Sequence, residues 1–247
     1  MQNIEFLEQL EQYRAEIDAI DADILHNLAK RFEVVAQVGA LKAKHDLRGS
    51  YIRPAREALM LRKLLDDAKQ IGVPQSLVAG LWRLIIGAST GHESPLNVVH
   101  LSDDVHGAFA AAQYFSDMVP QYATNMANFW NCESANQHSI FILPYQLDNP
   151  LWQLMPAYLK IFACLPFVGG DNIKSGAGAK PTYLANAKPT YLAIANIHPE
   201  PTGDDISLFH DGDKLIEVNG FMQQYQDNIA KDYIFVGAYA NMFIIND

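Results

Sequence analysis

The feature that most constrains this chain is an unbroken helical pattern from Phe6 to about Lys44, which contains no proline and a single glycine, Gly39. Leu10, Ile17, Ile24 and Val38 recur at seven-residue spacing, and Tyr13, Ile20, Leu28 and Val35 fill the adjoining stripe. Spacing of this kind places the apolar side chains on one face of a helix. At 1.5 Å per residue the helix would span about 60 Å, far more than a small compact domain needs. A rod with such a seam must bury it against a partner, so self-association is expected.

Arg31 interrupts the seam at the position that the heptad series reserves for an apolar residue. A cation among apolar neighbours is costly unless an anion meets it. A pairing with a helix carboxylate, or a side chain reaching out to solvent, would satisfy a single arginine equally well. Lys42, however, follows eleven residues later, three turns on, facing the same way about 16 Å along the axis. Two long cationic side chains so placed can grip the ends of one small dianion. Arg14 precedes Arg31 by seventeen residues, about 25 Å along the rod. One metabolite cannot reach both within one chain, so Arg14 can join the site only from a second copy, as an antiparallel pairing of the long helices would allow.

A polar stretch, His45–Ile52, reads as a loop. A second helix is expected from Pro54, a residue suited to a first helical position, through Ala68. Gly72-Val73-Pro74 ends it, and a third helix is expected from Gln75 to Thr90, with Gly91–Pro95 as a linker. Arg56 and Glu57 set a cation and a hydrogen-bond acceptor in the first turn of the second helix. Ser89 and Glu93 lie at the end of the third. Taken alone, each has a plain reading as surface charge or a polar helix end.

Composition divides the chain at this linker. Residues 1–94 hold 12 Lys and Arg against 13 Asp and Glu, whereas residues 95–247 hold 6 Lys, no Arg and 15 acids. Of the 26 aromatics, 21 lie after residue 94. Such a break suggests two units with different tasks. The overall charge of −10 argues against nucleic acid as a partner. No apolar run has the length of a membrane span, and the acidic, amphipathic start does not read as a signal peptide. Two cysteines, Cys132 and Cys164, are too few for a disulfide framework, and a cytoplasmic location is expected.

Beyond Pro95 the texture changes to short strand-like runs. Strands are expected at Asn97–Leu101, Ser139–Leu143, Ile161–Pro166, Tyr191–Asn196, Lys214–Val218 and Ile234–Tyr239, with helices at Gly107–Met118 and Pro150–Leu159. This is the pattern of an α/β or α+β domain. A tandem repeat, Ala179–Asn186 followed by Ala187–Ile194, reads as a local duplication that lengthens a loop or strand. The run Pro199–Asp205 reads as an acidic turn, with a ligand or metal loop as the alternative.

The long helix with Arg14, Arg31 and Lys42, the Arg56-Glu57 pair, and Leu84-Ile85-Ile86 with Ser89 and Glu93 together resemble the all-helical class of chorismate mutases. The likeness covers about residues 5–94, with two extra residues before Ile52. It implies a multidomain protein: an all-α, three-helix mutase domain forming an intertwined dimer over 1–94, then an Arg-free accessory domain over 95–247. It also implies conversion of chorismate to prephenate, in aromatic amino-acid biosynthesis, without cofactor or metal. That reaction is a Claisen rearrangement, so the enzyme acts by holding a flexible dianion in its reactive shape and by stabilising charge on the ether oxygen.

By the same likeness, Arg31 and the second copy's Arg14 would bind the two carboxylates through the planar guanidinium fork. Lys42 would sit near the ether oxygen, Glu57 would accept from the ring hydroxyl with Arg56 in support, and Ser89 would assist at a carboxylate. Two positions depart from the family pattern. Arg53 stands where some members carry an acid. Glu93 stands where many carry a glutamine that donates to the ether oxygen, and an ionised glutamate cannot donate.

Gln137–Pro144 resembles a strand-and-proline element of prephenate dehydratases. No Thr-Arg-Phe motif accompanies it, and no arginine follows Arg83, so a degenerate, dehydratase-like domain is expected. A bifunctional mutase–dehydratase and a non-catalytic chorismate-binding or regulatory protein are the alternatives.

Overall fold

A computed structural model of the chain describes residues 2–45, 52–93, 96–115, 118–125, 129–131, 139–147, 150–165, 168–170, 191–203, 205–210, 215–223, 233–240 and 243–245. Residues 46–51 of the expected loop, the end of the linker at 94–95, Cys132, Lys214, and the tandem repeat up to residue 190 lie outside them. The chain forms two compact units, Met1–Arg48 and Gly49–Asp247.

The first unit is one helix, α1, Gln2–Lys44, 43 residues long. Its apolar seam is open: Tyr13 is 60% exposed, Ile17 57%, Ile20 58% and Ile24 51%. A single helix has no second layer within its own unit against which such a stripe could pack.

The second unit begins with α2, Pro54–Ile71, and α3, Gln75–Glu93. Pro54 opens α2, where the missing N–H costs nothing. Gly72 closes it at φ 76°, a left-handed conformation that glycine adopts without strain, and its N–H returns to the carbonyl of Ala68. Both helices run three residues past their expected ends. Each is amphipathic, with Ala58, Leu61 and Leu65 of α2 and Val78, Ala79 and Ile86 of α3 buried.

Behind them lies a mixed eight-stranded sheet in the order β2-β1-β3-β6-β4-β9-β7-β8. Its strands are β1 (Leu96–Leu101), β2 (Met118–Ala123), β3 (Ile140–Pro144), β4 (Lys160–Leu165), β6 (Tyr191–Ala195), β7 (Asp205–His210), β8 (Leu215–Asn219) and β9 (Ile234–Ala240). A separate parallel pair joins β5 (Val168–Gly170) to β10 (Phe243–Ile245). The helix α4, Val105–Tyr114, follows β1, and the side chain of Asp104 caps it by accepting from the Gly107 N–H at 2.9 Å.

Strand alternation sends residues to both faces of this sheet. On β3, Ile140 and Ile142 join a core shared with Leu61, Leu65, Val78 and α4, whereas Phe141 and Leu143 join a second core with Phe129, Trp130 and Trp152. The central strand is therefore apolar throughout, as a strand covered on both faces must be.

Six of the strands match the runs expected from sequence to within a residue or two. The expected helix Pro150–Leu159 is instead a 3-10 turn, Pro150–Leu154. Pro156 lacks the N–H that a continuing helix would use. The strand β2 escapes the pattern because Pro120 interrupts it, which is tolerated at a sheet edge. The strand β7 is masked by the acidic, proline-rich run that leads into it. A helical N-terminal region thus precedes a sheet-rich α/β domain.

Candidate active site

Of the expected site residues, Arg14, Arg31 and Lys42 lie on α1. Arg14 is exposed and pairs with Glu11 one turn earlier, an arrangement of little energetic weight in water. Arg31 and Lys42 are both half-buried and lie on one helix, as their spacing requires.

The remaining residues lie on α2 and α3. Arg56 is exposed in the first turn of α2, and the neighbouring Glu57 is buried. Ser89 is buried near the end of α3, where its Oγ donates to the carbonyl of Ile85 at 2.6 Å. Glu93 is the last residue of α3 and half-buried.

Arg53, the departure at the start of α2, has a partner far along the chain. Its Nη2 lies 3.3 Å from both carboxylate oxygens of Glu200. Arg62 of α2 donates to the carbonyl of Thr202 at 2.8 Å. The acidic run thus docks onto α2. Within it, Asp205 accepts from the Thr202 hydroxyl at 2.7 Å, from the Thr202 N–H at 2.8 Å and from the Gly203 N–H at 3.0 Å. Its carboxylate is consumed in closing a turn, the plain reading of this motif.

One pair was not singled out from the sequence. Arg83 of α3 donates to Glu57 through Nη1 at 3.2 Å and Nη2 at 3.1 Å, with both side chains buried. The Arg83 guanidinium carbon also lies 3.9 Å from the ring centroid of Tyr114, the last residue of α4. Burial opposes the charge on Arg83, but Tyr114 and Glu57 outweigh it, and its pKa stands above the ordinary value. Burial likewise raises the Tyr114 phenol, against the pull of Arg83. The available signal was Arg83 itself, the lone Lys or Arg within the apolar third helix.

Residues 13–94 match the family model described as chorismate mutase type II, so the N-terminal helical region carries a domain of that class. Among individual proteins, the T-protein of Haemophilus influenzae is 32% identical over 101 residues, 41% of this chain and 26% of that protein. The T-protein of Enterobacter agglomerans is 37% identical over 86 residues, 35% of this chain and 22% of its own length. The bifunctional chorismate mutase/prephenate dehydratase of Aquifex aeolicus is 31% identical over 119 residues, 47% of this chain and 32% of that enzyme. The chain thus spans about a third or less of the length of these relatives. No solved structure matches it.

Proposed function

We propose that this protein is a chorismate mutase, an isomerase that rearranges chorismate to prephenate in aromatic amino-acid biosynthesis. The observation that carries this reading is the family match over 13–94, which encloses Arg14, Arg31, Lys42, Arg56, Glu57 and Ser89 in order. The substrate is a dianion, and the reaction needs neither nucleophile nor proton shuttle. Cations and hydrogen-bonding groups on rigid helices are what it calls for.

In this reading Arg31 and Arg14 bind the carboxylates, Lys42 serves the ether oxygen, and Glu57, with Arg56 beside it, takes the ring hydroxyl. Ser89 supports a carboxylate, and Glu93 donates to the ether oxygen when protonated. Arg14 acts from a second copy, so the working form is a homodimer. The exposed apolar seam of α1 supports this. The functional division falls at 94/95, where the family match ends and arginine disappears from the sequence. Residues 95–247 are then an accessory, dehydratase-like domain. A cytoplasmic location, chosen on the scarcity of cysteine, belongs to the same reading.

The departures at Arg53 and Glu93 favour a second reading, a protein that binds chorismate without turning it over. One experiment separates the two: purified full-length protein is mixed with chorismate, and both chorismate and prephenate are followed. Turnover is expected, and Arg31→Ala should lower kcat/KM by about 10- to 100-fold, the worth of a charged hydrogen bond. Binding of chorismate without prephenate formation would overturn the enzymatic reading.

A further inference from the structure

Glu57 is a buried carboxylate, and a buried carboxylate needs a dedicated partner to keep both its charge and its orientation. Both donors from Arg83 go to the same oxygen, Oε2. Among the described residues, the other oxygen, Oε1, accepts no hydrogen bond. A carboxylate gripped on one side in this way has its second oxygen held in place for a hydroxyl donor. The fork of Arg83 is in turn seated on the ring of Tyr114, 3.9 Å away, at the end of a helix that belongs to the sheet-rich part of the chain. Tyr114 itself is only 4% exposed and packs in the core shared by α2, α3 and the sheet.

We propose that Arg83 is a positioning residue for Glu57, and that Tyr114 seats Arg83, so that the domain after residue 94 helps to build the mutase site. The proposal rests on the mutase reading above and deepens it. It gives residues 95–247 a task that needs no second active site. The chemistry is specific to arginine, because one planar group must converge two donors on one carboxylate oxygen and present a flat face to a ring.

The test is a double-mutant cycle in the full-length protein, read by steady-state turnover of chorismate. Arg83→Met should lower kcat/KM by about 10- to 100-fold, mainly through a higher KM, since what is lost is a contact to the ring hydroxyl. A loss of folded protein would lower kcat alone. In a Glu57→Gln background the same change should cost less than about twofold, because the two residues act as one unit. Tyr114→Phe, which keeps the ring and loses only the hydroxyl's hydrogen bond to Arg83, should raise KM less than Tyr114→Leu does.

If Arg83→Met fails to fold, Arg83→Lys keeps the charge without the fork, and the same cycle is run with it. Losses that multiply, rather than merge, would overturn the positioning role while leaving the mutase reading intact. Unchanged kinetics in Tyr114→Leu would remove Tyr114 from it. If the parent protein forms no prephenate, the mutase reading fails, and this proposal falls with it.

Discussion

Gly237 of β9 and Ile161 of β4 meet backbone to backbone, paired in parallel register at the middle of the eight-stranded sheet. A methyl group added at Gly237 would overlap the Ile161 carbonyl and lie 2.8 Å from its carbonyl carbon. Glycine here permits a close approach of two strands. Gly237→Ala should therefore destabilise the protein by about 3 kcal/mol, the scale of a severe overpacking. Chemical denaturation measures this directly, and a Tm lowered by about 5–10 °C should accompany it. A melting curve identical to the parent's would show that the strands separate at no cost.

Glu93 gives the proposed activity a pH dependence. A carboxylate must be protonated to donate to the ether oxygen, so kcat/KM should rise toward mildly acidic pH. Glu93→Gln donates at every pH, and its profile should be flat, with a higher rate at neutral pH. Parallel profiles for the two proteins would exclude Glu93 from contact with the ether oxygen.

In the proposed dimer, formed through the exposed seam of α1, activity depends on association. Ile17→Glu with Ile24→Glu should yield a monomer in sedimentation and abolish turnover, since each carboxylate would enter the apolar stripe. Mixing Arg14→Ala with Arg31→Ala is the sharper experiment. Random pairing of the two chains regenerates one complete site in each mixed dimer, and about a quarter of the parent activity should return. No recovery would mean that Arg14 does not act across the dimer.

Cys164 offers a local probe of the sheet. It is fully buried, and burial pushes its thiol up from an ordinary value of 9.0 to about 12. In a Cys132→Ser background it should resist thiol reagents at pH 8 and react only on unfolding. A raised thiol pKa favours the folded state below the ordinary range, and this contribution is lost as the pH climbs from about 9 to about 12. Base-induced unfolding should begin in that window, and Cys164→Ala should shift its onset upward. Rapid labelling of the native protein would contradict the burial of β4.

The three N-terminal helices and six of the ten strands among the described residues were legible in the sequence because each follows from local rules. Heptad spacing marks α1, Pro54 and Gly72 bracket α2, and the apolar run Ile140–Leu143 marks a strand covered on both sides. The cations Arg14, Arg31 and Lys42 were legible for a related reason: a charge inside an apolar stripe is conspicuous without any fold. Pro120 and Pro156 mislead the same reading, because a local pattern does not tell an edge strand from a loop or a 3-10 turn from a helix.

Sequence by itself thus determined the helical N-terminal region, the charge break after residue 94, and the residue types able to bind a dianion. Tertiary structure alone decided which partners those residues have. Nothing local links Arg83 to Glu57, 26 residues away, or to Tyr114 beyond the composition break. Nor does any pattern pair Arg53 with Glu200 across 147 residues. Such pairings arise when packed elements bring distant side chains together; for Arg83 and Glu57 the need to satisfy a buried charge then selects the partner, whereas Arg53 and Glu200 meet in the open.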